Sequence, residues 1–265
     1  MIAPELIDIG LNLTHDSFND DRNEVLDRAK IVGVKRMLIT GSDAAHSQMA
    51  LELARQYPEV LRSTAGVHPH HAKDVTAADR AILLELMRQP EVLAVGECGL
   101  DYFRNFSPHA DQEAVFRWQL ECAGKIGKPV FLHERDAHDA FVGILREYRS
   151  ELKGGVAHCF TGTADQVKHY VDMDLYVGIT GWICDERRGQ SLREAVRHIP
   201  LDRLLIETDA PYLIPRNLKP KPTSHRNEPT HLPAVLNELA TCRGEDVKAL
   251  AAATTANAER LFAWS

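Results

Sequence analysis

Eight short apolar runs recur along the chain, at residues 6–12, 36–40, 61–67, 92–97, 130–133, 155–160, 175–180 and 203–209. Most place Val, Ile and Leu on consecutive positions, the pattern of parallel strands covered on both faces. Parallel neighbours need a crossover connection, and stretches of helical periodicity at 22–32, 44–57, 77–89, 110–126, 137–148, 164–172 and 192–198 supply one after nearly every run. Eight such units close a barrel. The competing arrangement, an open doubly wound sheet, is disfavoured because no run leads into a G-x-G-x-x-G turn. The expected fold is therefore α/β, a (β/α)8 TIM-like barrel.

Local punctuation agrees. Thr76 is placed to cap the third helix, and Gly127 follows the fourth, where a left-handed residue ends a helix before Lys128 and Pro129 open the next strand. Ile82, Leu83, Leu86 and Met87 form the stripe expected to pack on the barrel wall. After the last run, residues 211–229 carry prolines at 211, 215, 220, 222 and 229, which resist both helix and central strand. Two closing helices are expected at 231–241 and 246–264. No linker or repeat interrupts the 265 residues, so a single domain over 1–265 is expected, long enough to bury about three quarters of its unfolded surface.

With 38 acidic residues against 31 basic ones, the chain does not hold nucleic acid by bulk positive charge, although a local basic pocket is allowed. The five cysteines are odd in number and irregularly spaced, which points to reduced thiols and not to a disulfide framework. The start MIAPELIDIG has no basic region followed by an apolar run, and no apolar stretch approaches about 20 residues. A cytoplasmic location without membrane contact is the expectation.

The sharper signal is what stands where the apolar runs stop. His68 follows the third, Glu97 ends the fourth, His133 ends the fifth, His158 lies late in the sixth and Asp209 ends the eighth. In a barrel these positions share the C-terminal face, where catalytic residues from separate strands gather. Any one of them alone has a structural explanation as a cap or a hydrogen-bonded histidine. Together, Glu97, His133, His158 and Asp209 leave half-buried charge that a divalent cation would neutralise. Nitrogen and oxygen donors suit Zn, Mn, Fe or Co, and Mg where carboxylate and water dominate. Cys98 and Cys159, one residue beyond proposed ligands, are expected to face the other way. Arg135 suits bidentate contact with phosphate, and the run Arg216, Lys219, Lys221, His225 and Arg226 points to an anionic substrate such as a phosphate ester. With no long basic stripe and few aromatics to expose, the barrel mouth suits a single-stranded end better than a duplex.

An ordered series of motifs runs almost end to end: DIGLNLT at 8–14, AGVHPH at 65–70, VGECGLD at 95–101, FLHERDA at 131–137, HCFTG at 158–162, ITGW at 179–182, IETDAPYL at 206–213 and RNEP at 226–229. This series closely resembles the TatD family of metal-dependent deoxyribonucleases. The resemblance implies a barrel of the metal-dependent hydrolase (amidohydrolase) type that hydrolyses phosphodiesters with one or two divalent metals. It implies that Glu97 is a bridging glutamate and that His133 and His158 belong to one metal site. Asp209 is then the final-strand aspartate, catalytic together with Glu97. His68 falls near the scissile phosphate, and Arg135 is the arginine of an H-x-R-D segment.

One departure stands out. Most members begin with D-x-H-x-H, whose histidines hold a second metal, whereas this chain has Gly10 and Asn12 there. Asn12 offers only an amide oxygen, a weak contact for metal or water. One modestly held ion is expected, Mg in function with Mn or Zn as alternatives, and a second recruited with the phosphate. The branch sharing the D-I-G-x-N-L-T start implies a 3'-to-5' exonuclease on single-stranded DNA and RNA with a role in DNA repair or turnover. Its partners would be single-stranded ends, with no obligate protein partner. The competing functions are an amidohydrolase acting on a small amide, lactone or aminoacyl ester, and a non-enzymatic binding protein with a degraded metal site.

Overall fold

Residues 5–264 are described by the computed structural model. Strands β1 (Leu6–Leu11), β2 (Val34–Ile39), β3 (Leu61–Ala65), β4 (Val92–Asp101), β5 (Val130–Arg135), β6 (Gly155–Ala157), β7 (Tyr176–Ile179) and β8 (Leu204–Ile206) form one parallel sheet in sequence order. Around it lie α1 (Arg22–Ile31), α2 (Ala44–Gln56), α3 (Ala77–Met87), α4 (His109–Ile126), α5 (His138–Tyr148), α6 (Ala164–Asp172), α7 (Gln190–Ala195), α8 (Leu232–Arg243) and α9 (Val247–Phe262). Thr76 forms a reciprocal capping box with Asp79, and Gly127 takes the left-handed conformation that ends α4. In α3, Leu83, Leu86 and Met87 pack inward as expected. Ile82 turns to solvent instead, because the apolar stripe is narrower than its four residues.

Strand alternation sorts the apolar side chains into two layers. Ile7, Ile9, Leu38, Ala94, Phe131, Val156, Tyr176 and Leu205 fill the barrel interior, while neighbours such as Val130, Leu132, Leu204 and Ile206 face the helices. Helix α9 lies across the strand starts, where Thr255 Oγ1 donates to Glu5 O (2.8 Å) and Asn257 Nδ2 to Leu204 O (2.9 Å). Ala258, Phe262 and Trp264 plug that end from below. The opposite end, where the strands finish, stays open.

Between β1 and β8 the barrel closes through single bonds. Asp209 N donates to Gly10 O (2.8 Å) and Asn12 N to Ala210 O (2.7 Å). The buried Asp8 carboxylate bridges the same seam, accepting Thr208 N (2.9 Å) and Thr208 Oγ1 (2.5 Å). Burial lifts the Asp8 carboxyl to about 7 against the pull of those hydrogen bonds.

Strand β4 runs on to Asp101, past the expected end at 97, because it carries a bulge. Val95 pairs with Val130 and Cys98 with Leu132, so three steps on β4 oppose two on β5. Gly96 sits in this bulge with φ +139°, and a Cβ there would lie 2.2 Å from Phe131 O. The bulge reverses the side-chain alternation, sending Glu97 inward and Cys98 into the outer layer. Strand β6, by contrast, stops at Ala157, short of the expected 160.

The proline-rich segment after β8 has no helix or strand before Pro229, as expected. Arg226 does not join a cationic surface there. Its guanidinium is committed to Asp21 (2.7 Å) and Glu228 (2.7 Å) and lies 4.9 Å over the Phe18 ring, tying the loop to the start of α1.

Two outcomes follow for stability. Gly96→Ala should cost about 2–4 kcal/mol, from backbone strain plus the clash with Phe131 O, read from urea unfolding midpoints. The Arg226 hydrogen bonds lead in holding Asp21 down to about 2 from an ordinary 3.8. A depressed carboxylate stabilises the fold above its unfolded value and stops doing so as pH falls through the folded one. Arg226→Ala should therefore lose about 1 kcal/mol at neutral pH, with the gap to wild type narrowing only below pH about 4.

Candidate metal centre and its cleft

The open end of the barrel holds a cleft of about 950 Å³ lined by residues from most of the strand ends. Alternation decides which side chains reach its floor. Phe131 points inside, so His133 does too; Val156 and Leu205 set the same direction for His158 and Glu207. Glu97 arrives through the β4 bulge, and Asp209 follows with a left-handed φ of 54°.

Three imidazoles meet one carboxylate oxygen. Glu97 Oε1 lies 2.8 Å from His158 Nε2, 2.9 Å from His133 Nδ1 and 3.4 Å from His68 Nε2. Burial would lift the Glu97 carboxyl, but the His158 charge holds it well below its ordinary range. Burial likewise opposes the charge on His158, and Glu97 and Glu207 overcome it to hold that ring well above its ordinary value. His133 is also raised, since the Asp101 carboxylate 3.6 Å away and the hydrogen bond with Glu97 outweigh burial. His68 goes the other way, down to about 4, because burial dominates there.

The donor set fits a divalent cation. His68, Glu97 and His133 each place one ring nitrogen or carboxylate oxygen within 4.8 Å of one another; His158, the ligand expected from sequence, stands outside that trio and joins it through Glu97 Oε1 at 2.8 Å. His133 Nε2 is buried without a hydrogen-bond partner, and Asp101 Oδ2 at 3.6 Å is too far to serve as one. Such an orphaned donor atom among carboxylates is what a bound cation would satisfy. Asp209 stands in the same cleft, its Oδ1 accepting Asn12 Nδ2 at 3.1 Å. Burial is the main cause lifting the Asp209 carboxyl to about 7.

His68 differs from the other two rings in its bonding. Its Nδ1 accepts the His70 N–H (3.1 Å), so in the neutral form its proton sits on Nε2. That nitrogen faces the cleft as a donor to oxygen. Arg135 closes β5 at the exposed rim, its guanidinium 4.2 Å over the Phe103 ring. Phe103, Phe106 and Tyr212 are each about half exposed at this end, so the rim presents more aromatic surface than expected from sequence.

Cys159 departs from expectation. It lines the cleft and does not face away, because the chain leaves β6 at Ala157 and turns at a φ of 46°. Burial keeps its thiol protonated, well above the ordinary value. Cys98 packs in the outer layer as expected.

Glu207 does not stand out in the sequence. Fully buried, it accepts Cys159 N–H on Oε1 (2.5 Å) and places Oε2 3.4 Å from His158 Nδ1. A Cβ at Gly10 would stand 2.3 Å from Glu207 Oε2, and one at Gly178 2.4 Å from Oε1. The glycine on β1 is thus the space that Glu207 occupies. The available signal is its position two residues before Asp209, hence on the same face. Asp101 and His70 carry no strand-end signal of their own; they pair at 2.7 Å on the cleft wall.

Comparison with known proteins agrees with this geometry. The family model for TatD related DNase matches residues 7–263. The 3'-5' ssDNA/RNA exonuclease TatD of Salmonella typhimurium is 52% identical over 257 residues, covering 97% of this chain and 98% of that protein. A TatD family hydrolase from Entamoeba histolytica superposes with a TM-score of 0.90 at 26% identity, over 99% of each chain. The TatD homologue YjjV of Escherichia coli K12 does so with a TM-score of 0.89 at 27% identity, over 100% of each. Strand order, cleft and family match together make this chain a member of the TatD family of DNases.

Proposed function

We propose that this chain is a divalent-metal-dependent 3'-to-5' exonuclease acting on single-stranded DNA and RNA, with magnesium as its working ion. The observation that carries this is the meeting of three imidazoles on Glu97 Oε1 at the floor of an open cleft, with His133 Nε2 left unpartnered. The name of the Salmonella relative, a 3'-5' ssDNA/RNA exonuclease, supports the polarity and the substrate. A role in DNA repair or turnover in the cytoplasm is part of the same proposal. Among the described residues no helix is long and apolar enough to cross a membrane.

In this proposal Glu97, His133 and His158 hold the ion, with Asp209 across the cleft and the Asn12 amide as a weak neutral contact. Bound there, the ion would polarise the phosphate and lower the pKa of an attacking water. Asp209 accepts the proton of that water, held in place by Asn12 Nδ2. His68 donates from Nε2 to a non-bridging phosphate oxygen, and Arg135 offers its guanidinium to another. Glu207 fixes the His158 ring from behind, a carboxylate–histidine arrangement that keeps Nε2 turned to the centre. With glycine in place of a first-strand donor, fewer protein ligands surround the ion, which suits magnesium and its retained waters.

Metal-stripped protein given 3'-labelled and 5'-labelled single strands should lose nucleotides from the 3' end when Mg is restored. Turnover of a small ester or amide with no cleavage of either strand would refute the proposal. Asp209→Asn should fold normally and lose about 10²–10⁴-fold in kcat. Glu207→Gln, which keeps the shape and removes the charge behind His158, should weaken metal affinity about 10–100-fold by titration calorimetry.

A further inference from the structure

Two more recesses continue the metal cleft along one side of the barrel mouth. Trp182, Arg188 and Leu213 line both the cleft and a small recess of about 210 Å³. Asp185, Ile214 and Arg216 line both that recess and an outer groove of about 580 Å³. The three spaces share wall residues in succession and so adjoin one another in a row, a channel-like path along the mouth. Its start is aromatic: the Trp182 ring carries the Arg188 guanidinium at 4.5 Å. Its far part is cationic, with Arg187, Arg216, Lys221 and His225 along the walls.

The charge is arranged, and it does not follow the chain's composition. Overall the chain is acidic, with a formal charge of -7. The channel nevertheless sets Arg187, Arg188, Arg216 and Lys221 against only Asp185 and Glu186. Of these, Asp185 is buried and serves as an anchor, with Oδ2 holding Arg188 Nε at 2.9 Å and Arg216 Nε at 3.2 Å. It fixes two guanidinium groups at the junction of the recesses. Arg226, the remaining arginine of the proline-rich segment, is turned away to Asp21 and Glu228.

We propose that this channel is the track for the body of the single strand. Nucleotides on the 5' side of the scissile bond leave the metal cleft over Trp182 and Arg188 and lie along Arg187, Arg216, Lys221 and His225. The inference rests on the function proposed above, since an enzyme removing 3'-terminal nucleotides must hold the rest of the strand while each one departs. A π-face followed by positive charge is the combination that binds single strands without regard to sequence.

The test compares Arg187→Ala/Lys221→Ala with wild type on a dinucleotide and on a single strand of about 16 nucleotides. Neither side chain holds Asp185, so the anchor stays intact. On the long strand KM should rise about ten-fold with kcat unchanged. The slope of log(kcat/KM) against log salt should become shallower by about 1.4, at ~0.7 for each phosphate no longer neutralised. On the dinucleotide both parameters should stay at the wild-type value. Lys221→Glu alone should produce the same length-dependent loss. Equal losses on both substrates, or none on either with an unchanged salt slope, would overturn the track while leaving the nuclease function standing. A wild-type enzyme that hydrolyses bis(p-nitrophenyl) phosphate but neither oligonucleotide would overturn that function and the track with it.

Discussion

Closing an eight-stranded sheet brings β1 against β8, and in this chain everything at the mouth depends on how that seam is made. No regular ladder spans it. Single backbone bonds from Asp209 to Gly10 and from Asn12 to Ala210 join the strands, and the buried Asp8 carboxylate holds Thr208 by backbone and hydroxyl. Asn227 adds a further bond, donating to Thr208 O at 3.0 Å, so the proline-rich segment is fastened to the same point. These bonds set Asp209 beside Asn12 and opposite Glu97, and no local preference of either strand would do so. Hydrogen bonds to a buried carboxylate are strong because little water competes for it.

The centre is a compromise between crowded carboxylates and the cations that balance them. Glu97, Asp209, Glu207 and Asp101 gather around His133 and His158, and burial makes each unpaired charge costly. The carboxylates favour the charged form of the His133 and His158 rings. A divalent ion held there would supply positive charge to the same carboxylates. Glu207 fits among them only because Gly10 and Gly178 carry no side chains. The glycine in the first-strand motif is therefore less a lost ligand than room for a different acid.

Much of this was legible in residue order. Runs of Val, Ile and Leu marked the strands because a parallel strand is buried on both faces, and Thr76 and Gly127 marked helix ends through their own local chemistry. Polar residues at the ends of those runs marked the cleft, since a barrel gathers strand ends on one face. Other residues resisted. The bulge at Gly96 shows only when β4 is paired with β5, because alternation counted along one strand assumes a regular ladder. Arg226 reads as one more cation of a basic loop until Asp21, some 200 residues earlier, is found beside it.

What the sequence determined by itself is the fold class, the set of candidate ligands and the family, because each rests on short-range pattern: hydrophobic period, strand-end chemistry and contiguous motifs. Only the tertiary structure decided how those residues divide the work. The tautomer of His68 depends on a hydrogen bond from His70, the orientation of His158 on Glu207, and the place of Glu207 on two glycines from the flanking strands β1 and β7. Whether a cation faces the cleft, the channel or a structural anchor likewise follows from where the chain brings its carboxylates. Apart from the local His68–His70 bond, such assignments depend on distances of about 3 Å between residues far apart in sequence, and closure of the barrel sets those distances.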